Sequence, residues 1–195
     1  MSNVLSAMKS VAAAVACLSL CVVAKNYDVK NEANRPDLGK YQDFKRAFAC
    51  LTTYYGYWKN YEEETGDMCF VERQLSPVEN ESVQFHNAHR TRDDNVINVN
   101  YNATYKLRPG PGYNVSNIED YPFNGTYIPF LALYSKYGNC VILNSVAVKK
   151  DACVMIVTDL CNVEPSCLEM YDYLCGPKRI PLYERDCADV YSRIK

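Results

Sequence analysis

Residues 139–187 read NCVILNSVAVKKDACVMIVTDLCNVEPSCLEMYDYLCGPKRIPLYERDC. The runs at 139–143 and 152–157 are short, apolar and β-branched, which predicts two strands joined as a β-hairpin. Ser166 and Glu169 then stand at capping-box spacing. Met170, Tyr171 and Leu174 follow on one helical stripe, and Gly176-Pro177 makes a stop, so one short helix is predicted over 167–175. Six cysteines fall within this stretch. That density makes the helix a clip stapled across sheet edges and leaves the upstream chain to supply the sheet.

Working outward, further strands are predicted at 51–61, 68–75, 82–89, 96–107, 113–118 and 127–135, with the hairpin strands extending over 140–148 and 152–159. Turn chemistry separates them, including Pro109-Gly110-Pro111-Gly112, Asn124-Gly125 and Lys149-Lys150-Asp151. In the first strand Leu51, Thr53, Tyr55, Tyr57 and Tyr61 are expected on one face, as a cavity wall. Eight short strands and one late helix predict an all-β fold, an eight-stranded antiparallel up-and-down barrel enclosing space for one small ligand. An immunoglobulin-like sandwich is the alternative, but it gives no reason for the terminal helix.

Residues 10–24 form an apolar run behind Lys9 that is too short to span a bilayer, and residues 1–24 read as a secretory signal. Residues 25–40 are expected as a flexible arm, and residues 41–195 as one barrel domain with its helix and tail. Loss of Cys17 and Cys21 with the signal leaves eight cysteines, an even number suited to disulfides. No pair has tight zinc spacing, so no metal is expected. Sequons at Asn80, Asn102, Asn114 and Asn124 agree with an extracellular glycoprotein. A net charge of −2 without a basic cluster argues against nucleic acid as a partner.

Several stretches resemble the tick salivary lipocalins, the histamine-binding protein family. They are Tyr134-Ser135 with Asn139-Cys140-Val-Ile, Thr158-Asp159, Ser166-Cys167-Leu-Glu-Met-Tyr with Leu174-Cys175-Gly176, and Tyr183 to Cys187. Tyr54-Tyr55 leading to Tyr61, and Asp67-Met68-Cys69, add to the pattern, which covers roughly residues 38–190. The resemblance implies bridges from Cys69 to Cys187, Cys140 to Cys167 and Cys153 to Cys175. Cys50 and Cys161 then pair by elimination.

In the amine-binding relatives the pocket is acidic, because a buried ammonium needs carboxylates in contact. The matching positions here are Phe130, Val141 and Val154, all apolar, and Glu64 is the one acidic match. The resemblance therefore implies a cavity of Tyr57, Tyr61, Glu64, Ile128, Phe130, Val141, Leu143, Val154 and Ile156. It points to a biogenic amine, while the apolar residues favour an eicosanoid, fatty acid or sterol. Catalytic motifs are missing, no cofactor is expected, and His86 and His89 would point to opposite faces as surface histidines. The expectation is a secreted monomer that sequesters a small host mediator and blunts host defence. The alternative is an inhibitor that binds a host complement or clotting protein with the barrel exterior.

Overall fold

Eight antiparallel strands close into a barrel in the computed structural model, which describes residues 36–62, 67–91 and 96–194. The expected signal and most of the expected arm lie outside those residues, as does Glu64. The strands are β1 (Thr53–Lys59), β2 (Asp67–Gln74), β3 (Ser82–Thr91), β4 (Ile97–Arg108), β5 (Ile118–Phe123), β6 (Thr126–Lys136), β7 (Cys140–Ser145) and β8 (Cys153–Val157). Each pairs with its sequence neighbour, and β1 closes the barrel by pairing with both β2 and β8. A two-residue strand β9 (Ile180–Pro181) lies outside β1. The all-β barrel expected from the sequence is thus the observed fold.

Aromatic packing seals one end. Asp43 caps a single helical turn α1 (Phe44–Ala47) by accepting from the Lys45 N–H. Phe44 and Phe48 enter the barrel beside Tyr54 and Phe85, with Phe48 edge-on to both of the latter. Gln42 and Gln74 fasten this plug, donating to the carbonyls of Leu133 and Phe48 respectively. The core of the closed half is this plug with the inward residues of β3, β4 and β6–β8.

Outside the barrel, helix α2 (Pro165–Cys175) buries Cys167, Tyr171, Leu174 and Cys175 against Leu133, Ile142, Met155 and Val157. Its start is fixed by Pro165 in the first turn and by Asn139, whose Oδ1 accepts from the Glu164 N–H. The expected capping box does not form, and the Ser166 hydroxyl has no partner. Disulfides Cys140–Cys167 and Cys153–Cys175 bind both helix ends to β7 and β8. Asn60 adds a third tie, donating to the Cys175 carbonyl and accepting from the Cys153 N–H.

The bridge Cys69–Cys187 holds the C-terminal segment, including helix α3 (Ala188–Tyr191), against β2. Cys50 and Cys161 are exposed and unpaired, so the expected fourth bridge is not formed. Their backbones are held by different neighbours. The segment around Cys161 is drawn to the β6–β7 turn, where Asn139 donates to the Asn162 carbonyl, whereas Cys50 follows the plug helix.

Two strand expectations are corrected. Residues 113–117 form a loop rather than a strand, with Asn117 Oδ1 accepting from the Gly110 N–H at 2.6 Å, and the fifth strand begins at Ile118. In β1 it is Tyr54 that enters the core, while Tyr55 faces outward toward Tyr191.

Candidate ligand-binding site

The open half of the barrel holds a cavity of about 400 Å³, within the range of small-molecule sites. Its walls are inward residues of successive strands: Phe70 and Glu72 from β2, Glu119, Tyr121 and Phe123 from β5, Ile128 and Phe130 from β6, and Leu143, Val154 and Ile156 from β7 and β8. Alternation on β5 puts Glu119, Tyr121 and Phe123 inside and leaves Asp120 outside, where Arg108 grips it at 2.7 Å. A bulge in β2 around Cys69, whose φ is +56°, lets both Asp67 and Phe70 reach the cavity.

One wall is not a strand. The β1–β2 pairing covers only Thr53 to Tyr55, and Leu182 fills the gap beyond it. Its N–H donates to the Tyr57 carbonyl and its carbonyl accepts from the Cys69 N–H. Gly56 permits this approach, since a Cβ there would stand 3.2 Å from the Cβ atoms of both Leu182 and Phe70.

The inner end is acidic. Glu72 and Glu119 are 3% and 4% exposed, and both line the cavity. Glu72 Oε2 accepts from the Tyr105 hydroxyl at 2.9 Å, and that hydroxyl accepts from Asn87 Nδ2 at 3.0 Å. Glu119 Oε2 is buried without a hydrogen-bond partner. Loss of water pushes the Glu72 carboxyl up to about 7 and holds Glu119 well above the usual carboxylate range, with the charge of Glu72 acting in the same direction on Glu119. Burial likewise keeps Tyr54, Tyr105 and Tyr121 protonated as hydroxyl donors. Nearer the mouth, Lys59 lies over the Tyr61 ring and His89 stands 3.6 Å from Asp67.

Of the residues expected in the cavity, Tyr61, Ile128, Phe130, Leu143, Val154 and Ile156 line it. Val141 is buried deeper, in the core of the closed half. Tyr57 lies outside, stacked on Tyr183 at 5.1 Å, because it shares the outward face of Tyr55; the register shift between Gly56 and Trp58 reverses the alternation only beyond it and so turns Lys59 and Tyr61 inward. His86 and His89 do face opposite ways, but neither is a surface residue: His86 is buried against Tyr101 and His89 lines the cavity. The sequence reading missed Glu72 and Glu119, although the alternations Phe70-x-Glu72-x-Gln74 and Glu119-x-Tyr121-x-Phe123 signal both. The four sequon asparagines are all exposed, Asn80 and Asn124 in left-handed turn positions.

A barrel plugged at one end, open to a ligand-sized cavity at the other and clipped by a disulfide-bound helix is a lipocalin, a fold that holds small molecules. The tick histamine binding protein family model matches residues 32–189, and the chain belongs to that family. Among solved structures, the fold is similar to AM182, determined as a serotonin complex, with a TM-score of 0.55, 12% identity and coverage of 75% of this chain and 92% of that one. Apocrustacyanin C2 superposes with a TM-score of 0.52 at 14% identity, covering 79% and 87% of the two chains. H1 crustacyanin from the lobster Homarus americanus gives 0.50 at 12% identity, covering 74% and 81%. No curated protein matches the sequence.

Proposed function

We infer that the protein is a secreted scavenger that draws a cationic biogenic amine of the host into its barrel and so blunts inflammation or haemostasis. The observation that carries this reading is the buried pair Glu72 and Glu119 at the inner end of the cavity. Taking carboxyls out of water without a counter-ion is costly, and an ammonium between them offsets that cost. Phe130, Leu143, Val154 and Ile156 suit the ring or hydrocarbon of such a ligand, and the Tyr121 hydroxyl offers a further polar contact. The expectation of an apolar ligand rested on Phe130, Val141 and Val154, which replace acids elsewhere; here Glu72 and Glu119 bring acid in from β2 and β5 instead. A sterol or acyl chain would gain about 0.8 kcal/mol per buried methylene but would leave both carboxyls unmatched.

Membership of the histamine binding family and the serotonin complex of AM182 support an amine. The apolar run ahead of residue 25, three disulfides and four exposed sequons support secretion. An open cavity weighs against the alternative of a filled barrel that binds a host protein only by its exterior.

The test is calorimetry of tyramine against its uncharged isostere tyrosol, in which a hydroxyl replaces the ammonium. Tyramine is expected to bind at least about tenfold more tightly, the ratio that 1.4 kcal/mol of charge pairing produces. Equal binding of the two, or binding of cholesterol with none of tyramine, would contradict the reading.

A further inference from the structure

We propose that uptake of an amine expels the proton of Glu119, which thereby becomes the ligand's primary counter-ion, while Glu72 serves as a second carboxylate fixed in place by Tyr105 and Asn87. This rests on the amine reading above and goes beyond it by assigning different tasks to the two acids. The geometry separates them. Glu72 Oε2 already accepts a hydrogen bond from Tyr105, whose oxygen is in turn held by Asn87, and a donated hydrogen bond favours the ionised carboxylate. Glu119 Oε2 has no donor and faces the same enclosed space. Two like charges so placed disfavour each other, so the proton the pair retains resides on Glu119.

Among the described residues, the other strands around the pair supply no competing acid at that depth. Tyr54 on β1, Tyr105 on β4 and Tyr121 on β5 are hydroxyl donors, and their burial keeps them protonated. Lys59, Asp67 and His89 sit toward the mouth, at the ends of β1, β2 and β3. From β6, β7 and β8 the lining is Ile128, Phe130, Leu143, Ser145, Val154 and Ile156, none of which titrates. Asp120, next to Glu119 in sequence, is outside and paired with Arg108. The exchange balances as Glu119-COOH plus R-NH3+ giving the ion pair Glu119-COO− with +H3N-R, and one H+ released to solvent. The raised titration of Glu119 caused by burial agrees with a proton retained at neutral pH.

Calorimetry of tyramine with the wild-type protein at pH 7, in two buffers of different ionisation enthalpy, counts the protons. Both groups of tyramine titrate near pH 10, so released protons come from the protein. The expected result is about one proton per tyramine bound, with affinity rising by up to about tenfold per pH unit between 6 and 8. E119Q should remove most of the release, leaving no more than the fraction that Glu72 itself carries near pH 7, and E72Q should keep it. Wild-type binding with buffer-independent heat would overturn the proposal and leave the amine reading standing. Loss of the release in E72Q but not in E119Q would overturn the assignment to Glu119. Failure of wild-type protein to bind tyramine at any of these pH values would overturn the amine reading itself and the proposal with it.

Discussion

Glu119 and Glu72 cost the unliganded protein stability, and the sign of that cost is testable. Both carboxyls titrate higher in the folded chain than an exposed glutamate does, because burial penalises their charged forms. The folded state therefore holds more protons than the unfolded one from roughly pH 4.3 upward. Their contribution is fully present below that value and is lost as pH rises through about 7 for Glu72 and higher for Glu119. Thermal unfolding without ligand should show Tm falling between pH 5 and pH 8, and E72Q/E119Q should fall by less; equal slopes in the two proteins would contradict the burial of these acids. Neither residue was found from sequence. The positions that carry acid in relatives do not signal them, because these acids enter from other strands. The fifth strand was also placed too early, at 113–118, so Glu119 fell at its edge. The charged Glu119-Asp120 pair obscures the alternation Glu119-x-Tyr121-x-Phe123, which the register with β6 makes plain, Glu119 lying opposite Phe130.

The elements most legible in the sequence were those that the cysteines bracket. The hairpin of β7 and β8 and helix α2 appear within the 139–187 stretch that signals them, and the two bridges that hold the helix are those the family resemblance implies. Less legible was β1, because tyrosines on both faces of a run that favours strands do not say which face turns inward, and it is Tyr54 rather than Tyr55 and Tyr57 that does. The consequence is concrete: Tyr57 stacks on Tyr183 outside, and the space it was expected to occupy is walled by Leu182 of the C-terminal segment. That segment depends on Cys69–Cys187, which closes a separation of 118 residues. Replacing both cysteines with serine should lower the unfolding free energy in urea by about 4–5 kcal/mol on the chain-entropy account. Gly56→Ala should cost about 1–3 kcal/mol as overpacking, since its methyl group would press on Leu182 and Phe70. A neutral Gly56→Ala would mean that the Leu182 wall yields freely.

For the molecule as a whole, the barrel arranges charge along its axis: an aromatic plug at the closed end, two acids above it, apolar walls, and the mixed charges Lys59, Asp67 and His89 at the mouth. Arg90 secures the outside of that frame, binding Asp186 and Asp189 of the C-terminal segment at 2.7 and 2.5 Å. The class of protein could be read from residue pattern because disulfides and turns fix topology. The cavity's chemistry could not, because one misplaced strand exchanges which acids face inward. The most direct measurement is a titration of tyramine into E72Q/E119Q at pH 7.5, with tyrosol as the control for an intact cavity. Removing both carboxylates should weaken tyramine by about thirtyfold or more, as the loss of a desolvated charge partner does, and leave tyrosol unchanged. Undiminished tyramine binding by the double variant would contradict an amine site built on Glu72 and Glu119.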